Sequence, residues 1–374
     1  MMFTASVPRR IAVIAHMRFP IRPPFKGGME SHTHALVRSL KARGHEVALF
    51  ASGDSDPSLP LVPACERHYE ADMPWALWHG DARFDAMQKR IFNTAWDEMR
   101  GFAPDVVHNN CLYGDIPRWA ARDGIAMVTV LHVPPFARLS SAVEEVCDDP
   151  GQRFVTVSRS QLKHWPTGGH PHFSAVPNGI DLDRWGQGRE RRESAVWIGR
   201  ITPTKGTAMA CRAALTAGMP LSLYGPIEDE GYFAETVAPL LGDQIRYEGA
   251  QSADRLRDAY RRARVALVTP CWDEPFGLVA AEALACGTPV AGFARGAIGE
   301  VVGEAGCLVE EGDVAGLARA MRRASSIAAD TCLRRAGLFS QQRMLERYEA
   351  LYESAISGAA SRASSCSRTV AELA

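Results

Sequence analysis

Short runs of consecutive apolar residues recur along the first half of the chain: IAVIAHM (11–17), EVALFAS (46–52), DVVHNN (105–110), AMVTVLH (126–132) and RFVTVS (153–158). Stretches with helical spacing separate several of them. MESHTHALVRSLKARG sets Leu36, Val37 and Leu40 on one face, with Gly44 as a stop. Near-continuous apolar strands alternating with helices predict a parallel sheet covered on both faces. The pattern then restarts with AVWIGRI (195–201), LSLYGP (221–226), IRYEGA (245–250), VALVTP (265–270) and PVAGFA (289–294). Between the two series, GIDLDRWGQGRERRES (179–194) is rich in glycine and charge and has no periodicity, which marks a hinge. The fold class is therefore α/β, with two doubly wound Rossmann-like domains facing a central cleft at the carboxyl ends of their sheets. We place the first domain at 1–185 and the second at 186–338. FSQQRMLERYEALYESAI then predicts a helix over 339–357 returning to the first domain, with Met344, Leu345, Tyr348, Leu351 and Tyr352 on its apolar face. The Ala-, Ser- and Arg-rich 358–374 reads as a disordered tail.

The totals narrow the partners. With 374 residues, 46% of them hydrophobic, 23% charged and a net charge of −1, nothing points to nucleic acid or to an acidic membrane surface. Nine scattered cysteines without a CxxC pair read as reduced thiols rather than a disulfide framework or a zinc site. The apolar run after Arg9 and Arg10 is too short for a signal-peptide core, and no 18-residue apolar run occurs. The expectation is a cytoplasmic protein, with peripheral contact to a membrane left open.

Candidate chemistry gathers in the second half. Arg200 stands at a strand end and Lys205 on the loop after it. A guanidinium fork and an ammonium on one loop suit a diphosphate. EPFGLVAAEALACGTPV (274–290) is almost wholly small and apolar, yet it carries Glu274 and Glu282. Burying either acid unpaired would cost several kcal/mol, so ligand groups are expected as their partners. The backbone N–H groups of Phe276, Gly277 and Leu278 at the following helix start suit an anion. Glu282, about one turn inside that helix, can accept from two vicinal hydroxyls. Phosphate, sugar hydroxyls and ribose together outline a nucleotide sugar. In the first half, Gly27-Gly28 opens the first long helix and again exposes amides, although it is not a GxGxxG motif. His132 ends a strand and faces the cleft expected there.

Glu274-x7-Glu282, preceded by IGRITPTKG and VPNGID and by GGMESH at 27–32, resembles the retaining glycosyltransferases of family 4 (glycosyl transferases group 1), which have the GT-B fold. The resemblance covers nearly the whole chain. It implies that Arg200 and Lys205 bind the donor diphosphate, that Glu274 accepts from donor-sugar hydroxyls, and that the amides of Phe276, Gly277 and Leu278 contact sugar and phosphate. It places Glu282 on the ribose, the base near Gly225 and 249–252, and the Gly27-Gly28 loop against the donor phosphates and the acceptor pocket. His132 would lie beside the reacting centre. The implied catalytic set is His132, Glu274, Arg200 and Lys205. Two small departures bear on sugar choice: Asp273 stands where another glutamate is common, and 303–308 is shorter than the usual glycine-bearing turn.

The activity so implied is transfer of a sugar from a nucleotide-diphosphate donor, UDP-linked and by default UDP-glucose, to an acceptor hydroxyl with retention. It needs no cofactor and no metal. The acceptor, whether glycan, lipid-linked or small molecule, is not legible. A nucleotide-sugar epimerase or phosphorylase on the same fold is the alternative, and a non-catalytic binding partner the third reading. DSD (54–56) and DLD (181–183) look like metal-binding DxD motifs but lie where turn formers are needed anyway. His32 and His34 fall about 200° apart on a helix and cannot share one ion, and His170/His172 is a second such close pair. Asn178-Gly179 reads as a turn.

Overall fold

The apolar runs become the strands of two all-parallel sheets in the computed structural model, which describes residues 7–186 and 194–372. The first sheet holds β1 (Arg10–Ala15), β2 (Glu46–Ser52), β3 (Leu61–Cys65), β4 (Val106–Asn110), β5 (Met127–Leu131), β6 (Gln152–Thr156) and β7 (Phe173–Ala175). Their order is β3-β2-β1-β4-β5-β6-β7, with Ile11 of β1 in register with Val47 on one side and Val106 on the other. The second sheet holds β8 (Ala195–Ile198), β9 (Leu221–Tyr224), β10 (Ile245–Tyr247), β11 (Val265–Val268), β12 (Val290–Phe293) and β13 (Gly306–Val309), ordered β10-β9-β8-β11-β12-β13. Ile11, Val13 and Ile14 of β1 and Val265 of β11 are fully buried, as two covered faces require.

Both sheets are doubly wound. In each, chain order runs outward one way from the first strand and then resumes on its other side. The reversal falls between β1 and β4 in the first unit and between β8 and β11 in the second. At such a switch point the loops leaving the two strands diverge, and a crevice opens at their carboxyl ends.

The strands β3, β7 and β13, which the apolar pattern does not mark, are all edge strands. An edge strand is covered on fewer sides, so its sequence need not be continuously apolar. Pro63 within β3 is tolerated for the same reason.

The chain divides into Met1–Val176 with Leu345–Ala374, and Pro177–Met344. The first boundary precedes the expected 185/186 because 177–185 pack with the second unit. Ile180 bridges to Ser340, Trp185 stacks obliquely on Tyr260 at 6.0 Å, and Cys286 Sγ donates to the Trp185 carbonyl. The remainder of the expected hinge, 187–193, lies outside the described residues.

The last helix, Gln341–Glu372, starts in the second unit, and its residues from Leu345 onward belong to the first. Met344, Leu345, Tyr348 and Tyr352 are buried. Within the first unit Glu349 receives both Arg43 (2.5 Å) and His45 (3.1 Å). The expected disordered tail from 358 is instead helical through Glu372. Its small residues let the helix lie against the loop at 149–151: a Cβ on Gly358 would fall 1.6 Å from the Pro150 carbonyl oxygen, and Arg362 pairs with Asp149. No helix among the described residues is long and apolar enough to cross a membrane.

Candidate functional site

In the second unit, the loops leaving β8, β11 and β12 are laced together. The β8 loop closes through a turn at Pro203–Lys205 and then Gly206, whose φ is 66°. A Cβ on Gly206 would meet the Thr269 carbonyl oxygen at 2.2 Å, so this loop presses directly on the end of β11. Trp197 Nε1 donates to Thr269 Oγ1 (3.0 Å), which donates to the Lys205 carbonyl (2.9 Å), and the Cys271 N–H donates to the Thr204 carbonyl (2.8 Å). From β12, Gly296 (φ 55°) sits so close that a Cβ there would fall 2.3 Å from Glu274 O and 2.4 Å from Glu274 N, and the Ala297 N–H holds the Glu274 carbonyl (2.8 Å).

This frame sets Lys205 Nζ 2.6 Å from Glu274 Oε2. Trp272 Nε1 donates to the same oxygen at 2.9 Å, and the Lys205 ammonium stands 5.2 Å from the centre of the Trp272 ring. The sequence leads one to expect ligand hydroxyls rather than protein groups as the partners of Glu274; instead a protein cation, Lys205, holds it. Both side chains are mostly buried, at 22% and 16% exposed.

Arg200 is placed differently. Its Nη1 lies 2.7 and 2.6 Å from the two oxygens of Glu228, and both side chains are 46% exposed. An ion pair that exposed contributes little, about 0–1 kcal/mol, so the guanidinium is free to change partners.

The backbone N–H groups of Phe276, Gly277 and Leu278 have no hydrogen-bond partner among the described residues. Gly277 enters the helix Leu278–Ala285 with φ 90°, a conformation that favours glycine. The carboxyl of Glu282, on that helix, has no hydrogen-bond partner among the described residues either. The residue keeps a partly exposed edge, yet burial of its carboxyl pushes it up to about 8, with Arg184 acting weakly the other way. The acid is thus mostly protonated at neutral pH. Gly225 (φ 137°) is required by packing: a Cβ would lie 1.8 Å from the Gly199 carbonyl oxygen. Its N–H donates to the Gly249 carbonyl and its own carbonyl accepts from Tyr247 Oη (2.8 Å). A base placed there has no free amide to read at Gly225.

In the first unit, the switch point carries a buried polar cluster. His132, just past β5, and His108 of β4 both donate from Nε2 to Asn110 Oδ1, at 2.9 and 3.1 Å. Asn110 Nδ2 donates to Thr33 Oγ1 (3.2 Å), and Tyr352 Oη donates to His108 Nδ1 (2.8 Å). With its Nε2 proton committed, His132 retains Nδ1 as an acceptor for a hydroxyl. Burial, and then the nearby His32, His108 and His16, hold its pKa well below the usual histidine value. It is a neutral acceptor at pH 7. Gly27 and Gly28 open the helix Gly28–Ala42 as expected, but Gly27 is extended rather than strained. Beside it lies buried Glu30, with Oε1 3.0 Å from His16 Nε2. Burial would raise the Glu30 carboxyl, but His16 and the adjacent backbone N–H groups outweigh it and the net shift is downward. An anion at this helix end would meet that carboxylate.

The cluster has a consequence for stability. Burial pushes His32 to about 4 and His108 to about 3, the latter helped by His32, and His32 Nε2 has no hydrogen-bond partner among the described residues. A histidine with a depressed folded pKa binds fewer protons than in the unfolded chain. Its stability contribution is complete above pH 6.5 and declines as pH falls toward 4, by about 1.4 kcal/mol per pH unit for each group. Unfolding midpoints in urea are expected to drop steeply between pH 6.5 and 4.5, and less steeply in His32→Leu. Parallel curves for the two proteins would contradict this.

Trp272, Gly296, Asn110, His16 and Glu30 were not singled out by sequence. Only DVVHNN, with three polar residues closing an apolar strand, carried a visible signal. The DxD-like acids have local partners: Asp54 pairs with His68, Asp56 with His34 (2.9 Å), and Asp181 caps the short helix after it. Among the described residues one group, Cys147, Asp148 and His170, offers three ligand atoms within 4.8 Å of one another. There His170 Nε2 already lies 3.0 Å from Asp148 Oδ1, and Nδ1 accepts from the His172 N–H. That leaves neither ring nitrogen free for an ion.

Residues 26–184 match the domain described as Glycosyltransferase Family 4, and residues 192–326 the domain described as Glycosyl transferases group 1. The D-inositol 3-phosphate glycosyltransferase of Geodermatophilus obscurus is 29% identical, over 94% of this chain and 90% of that protein. Among solved structures, a sucrose-phosphate synthase from Thermosynechococcus elongatus superposes with a TM-score of 0.73 at 21% identity, covering 92% of this chain and 98% of that one. Anabaena HepE in complex with UDP-glucose gives 0.64 at 15% identity, covering 91% and 100%.

Proposed function

Because the chain belongs to the family 4 glycosyltransferases of the GT-B fold, we propose that it transfers a hexose from a nucleotide-diphosphate donor to an acceptor hydroxyl, with retention and without a metal. UDP-glucose is the donor we put first, since a structural relative holds it. The observation that carries the reading is the Lys205–Glu274 pair at the β8/β11 switch point, followed along the chain by three amides and the Glu282 carboxyl that have no hydrogen-bond partner among the described residues.

The second unit then serves the donor. Cleaving the bond from the anomeric carbon to the diphosphate oxygen leaves negative charge on the diphosphate. Lys205, Arg200 and the amides of Phe276, Gly277 and Leu278 offset that charge where it develops. Glu274, released from Lys205, accepts from sugar hydroxyls, and Glu282 accepts from the ribose. The first unit serves the acceptor side through Gly27, Gly28 and neutral His132, whose Nδ1 accepts from a hydroxyl. The acceptor class we favour is a polyol or its phosphate, because the relatives are named for inositol 3-phosphate.

Glu282 makes the reading testable by calorimetry. Burial pushes its carboxyl up to about 8, so it is mostly protonated at pH 7, and ribose hydroxyls donating to it favour the ionised form. Donor binding at pH 7 is expected to release a proton, giving a binding enthalpy that varies with buffer ionisation enthalpy. Glu282→Gln should remove that dependence.

The activity is tested by a panel of nucleotide sugars with and without polyol and polyol-phosphate acceptors, scoring nucleoside diphosphate release and the anomeric configuration of the product. Acceptor-dependent release with the donor's configuration retained supports the proposal. A rearranged nucleotide sugar formed from donor alone would replace it with an epimerase.

A further inference from the structure

We infer that Trp272 is a positioning residue of the donor site: its indole N–H fixes which oxygen of Glu274 is left for the ligand, and its ring face carries the Lys205 ammonium. The inference rests on the reading of Glu274 as the sugar-binding acid. Glu274 Oε2 takes two donors, Lys205 Nζ at 2.6 Å and Trp272 Nε1 at 2.9 Å, while Oε1 has no partner among the described residues. Lys205 stands 5.2 Å from the ring centre. One side chain thus touches both members of the pair.

These contacts matter most once ligand arrives. A diphosphate draws Lys205 away and would leave Glu274 facing a polyanion with nothing to hold it. The indole N–H cannot follow the phosphate, because the loop is tied through the Cys271 N–H to the Thr204 carbonyl. It keeps Oε2 occupied and presents Oε1 to sugar hydroxyls. A partly desolvated N–H bond to a carboxylate is among the stronger neutral-to-charged contacts, and the ring face steadies the ammonium in both states. Phenylalanine at this position keeps the face and loses the N–H. Leucine loses both.

Calorimetric affinities for UDP-glucose and for UDP separate the two contacts, measured on the full chain as wild type, Trp272→Phe, Trp272→Leu and Glu274→Gln. Trp272→Phe is expected to weaken UDP-glucose about tenfold and leave UDP within about twofold. Glu274→Gln should behave in the same direction, and the double variant should be no worse than the weaker single one. Trp272→Leu should also weaken UDP, by about threefold. If Trp272→Phe keeps the wild-type ratio while Glu274→Gln changes it, Glu274 binds sugar and the inference fails alone. If Glu274→Gln keeps the ratio, or wild type binds neither probe, the donor-site reading fails and takes the inference with it. Equal loss of UDP and UDP-glucose in Trp272→Phe marks a collapsed loop and also overturns the positioning role. A check that leaves Trp272 intact uses indole-labelled protein: Glu274→Gln must shift the Trp272 Nε1–H resonance, and an unmoved resonance overturns the contact.

Discussion

Lys205→Ala is expected to lower kcat/KM for the nucleotide-sugar donor by roughly 10²- to 10³-fold, the largest single loss in this protein. Two effects add. The variant removes a cation that meets the leaving diphosphate as charge builds on it. It also leaves Glu274, only 16% exposed, without its 2.6 Å partner. An acid in that position, without the ammonium beside it, repels an incoming diphosphate. Arginine is a poor substitute, because the site presents one carboxylate oxygen and one ring face to a compact ammonium rather than a carboxylate to a fork. Arg200→Ala should be milder, since Arg200 sits in an exposed pair with Glu228 rather than against a buried group of the site. Initial rates of diphosphate release check both. A Lys205→Ala enzyme within tenfold of wild type would remove the lysine from the mechanism.

Gly296→Ala is the second large expectation, and it involves no chemical group at all. The added methyl would enter at 2.3 to 2.4 Å from the backbone of Glu274, at a φ of 55° that already disfavours any side chain. The β11 loop must therefore shift, carrying Glu274 with it. A displacement of about 1 Å at a positioning group costs on the order of 10²-fold in rate, while the local strain is on the order of 1–3 kcal/mol. The expected signature is a protein that remains folded by circular dichroism yet has lost most of its turnover. Gly299→Ala, where nothing lies within 4 Å of the added carbon, is the control and should keep wild-type rates. Loss of the fold in Gly296→Ala with no separable effect on rate would contradict the assignment.

Much of the fold is legible in the sequence alone. Parallel strands buried on both faces write themselves as unbroken apolar runs, so the central strands of both sheets could be read directly. The edge strands β3, β7 and β13 could not, because an edge tolerates Pro63 or a glycine start and shows no continuous run. The acids Glu274 and Glu282 stood out because they interrupt a small, apolar stretch. Their different states did not. Whether an acid is paired or protonated depends on what other loops bring to it: Lys205 arrives from β8 and Gly296 from β12, while among the described residues Arg184 approaches Glu282 as a distant charge. Trp272 was in plain view two residues before Glu274, but a tryptophan in a loop has many uses, and only the 2.9 Å contact selects one. The histidines of the first unit show the same limit. His132 was visible at a strand end, whereas its hold on Asn110 and, through His108, on Tyr352 joins residues more than two hundred positions apart. The C-terminal stretch misled because alanine and serine are as fit for a helix lying on a loop as for a frayed end.

A crystal structure with UDP-glucose bound tests the central claim most directly. The account requires Lys205 Nζ to leave Glu274 and lie within about 3 Å of a diphosphate oxygen. Trp272 Nε1 should remain on Glu274, and Glu282 should lie at hydrogen-bond distance from the ribose hydroxyls. A nucleotide bound elsewhere, or one bound here with the Lys205–Glu274 pair intact at 2.6 Å, would contradict it.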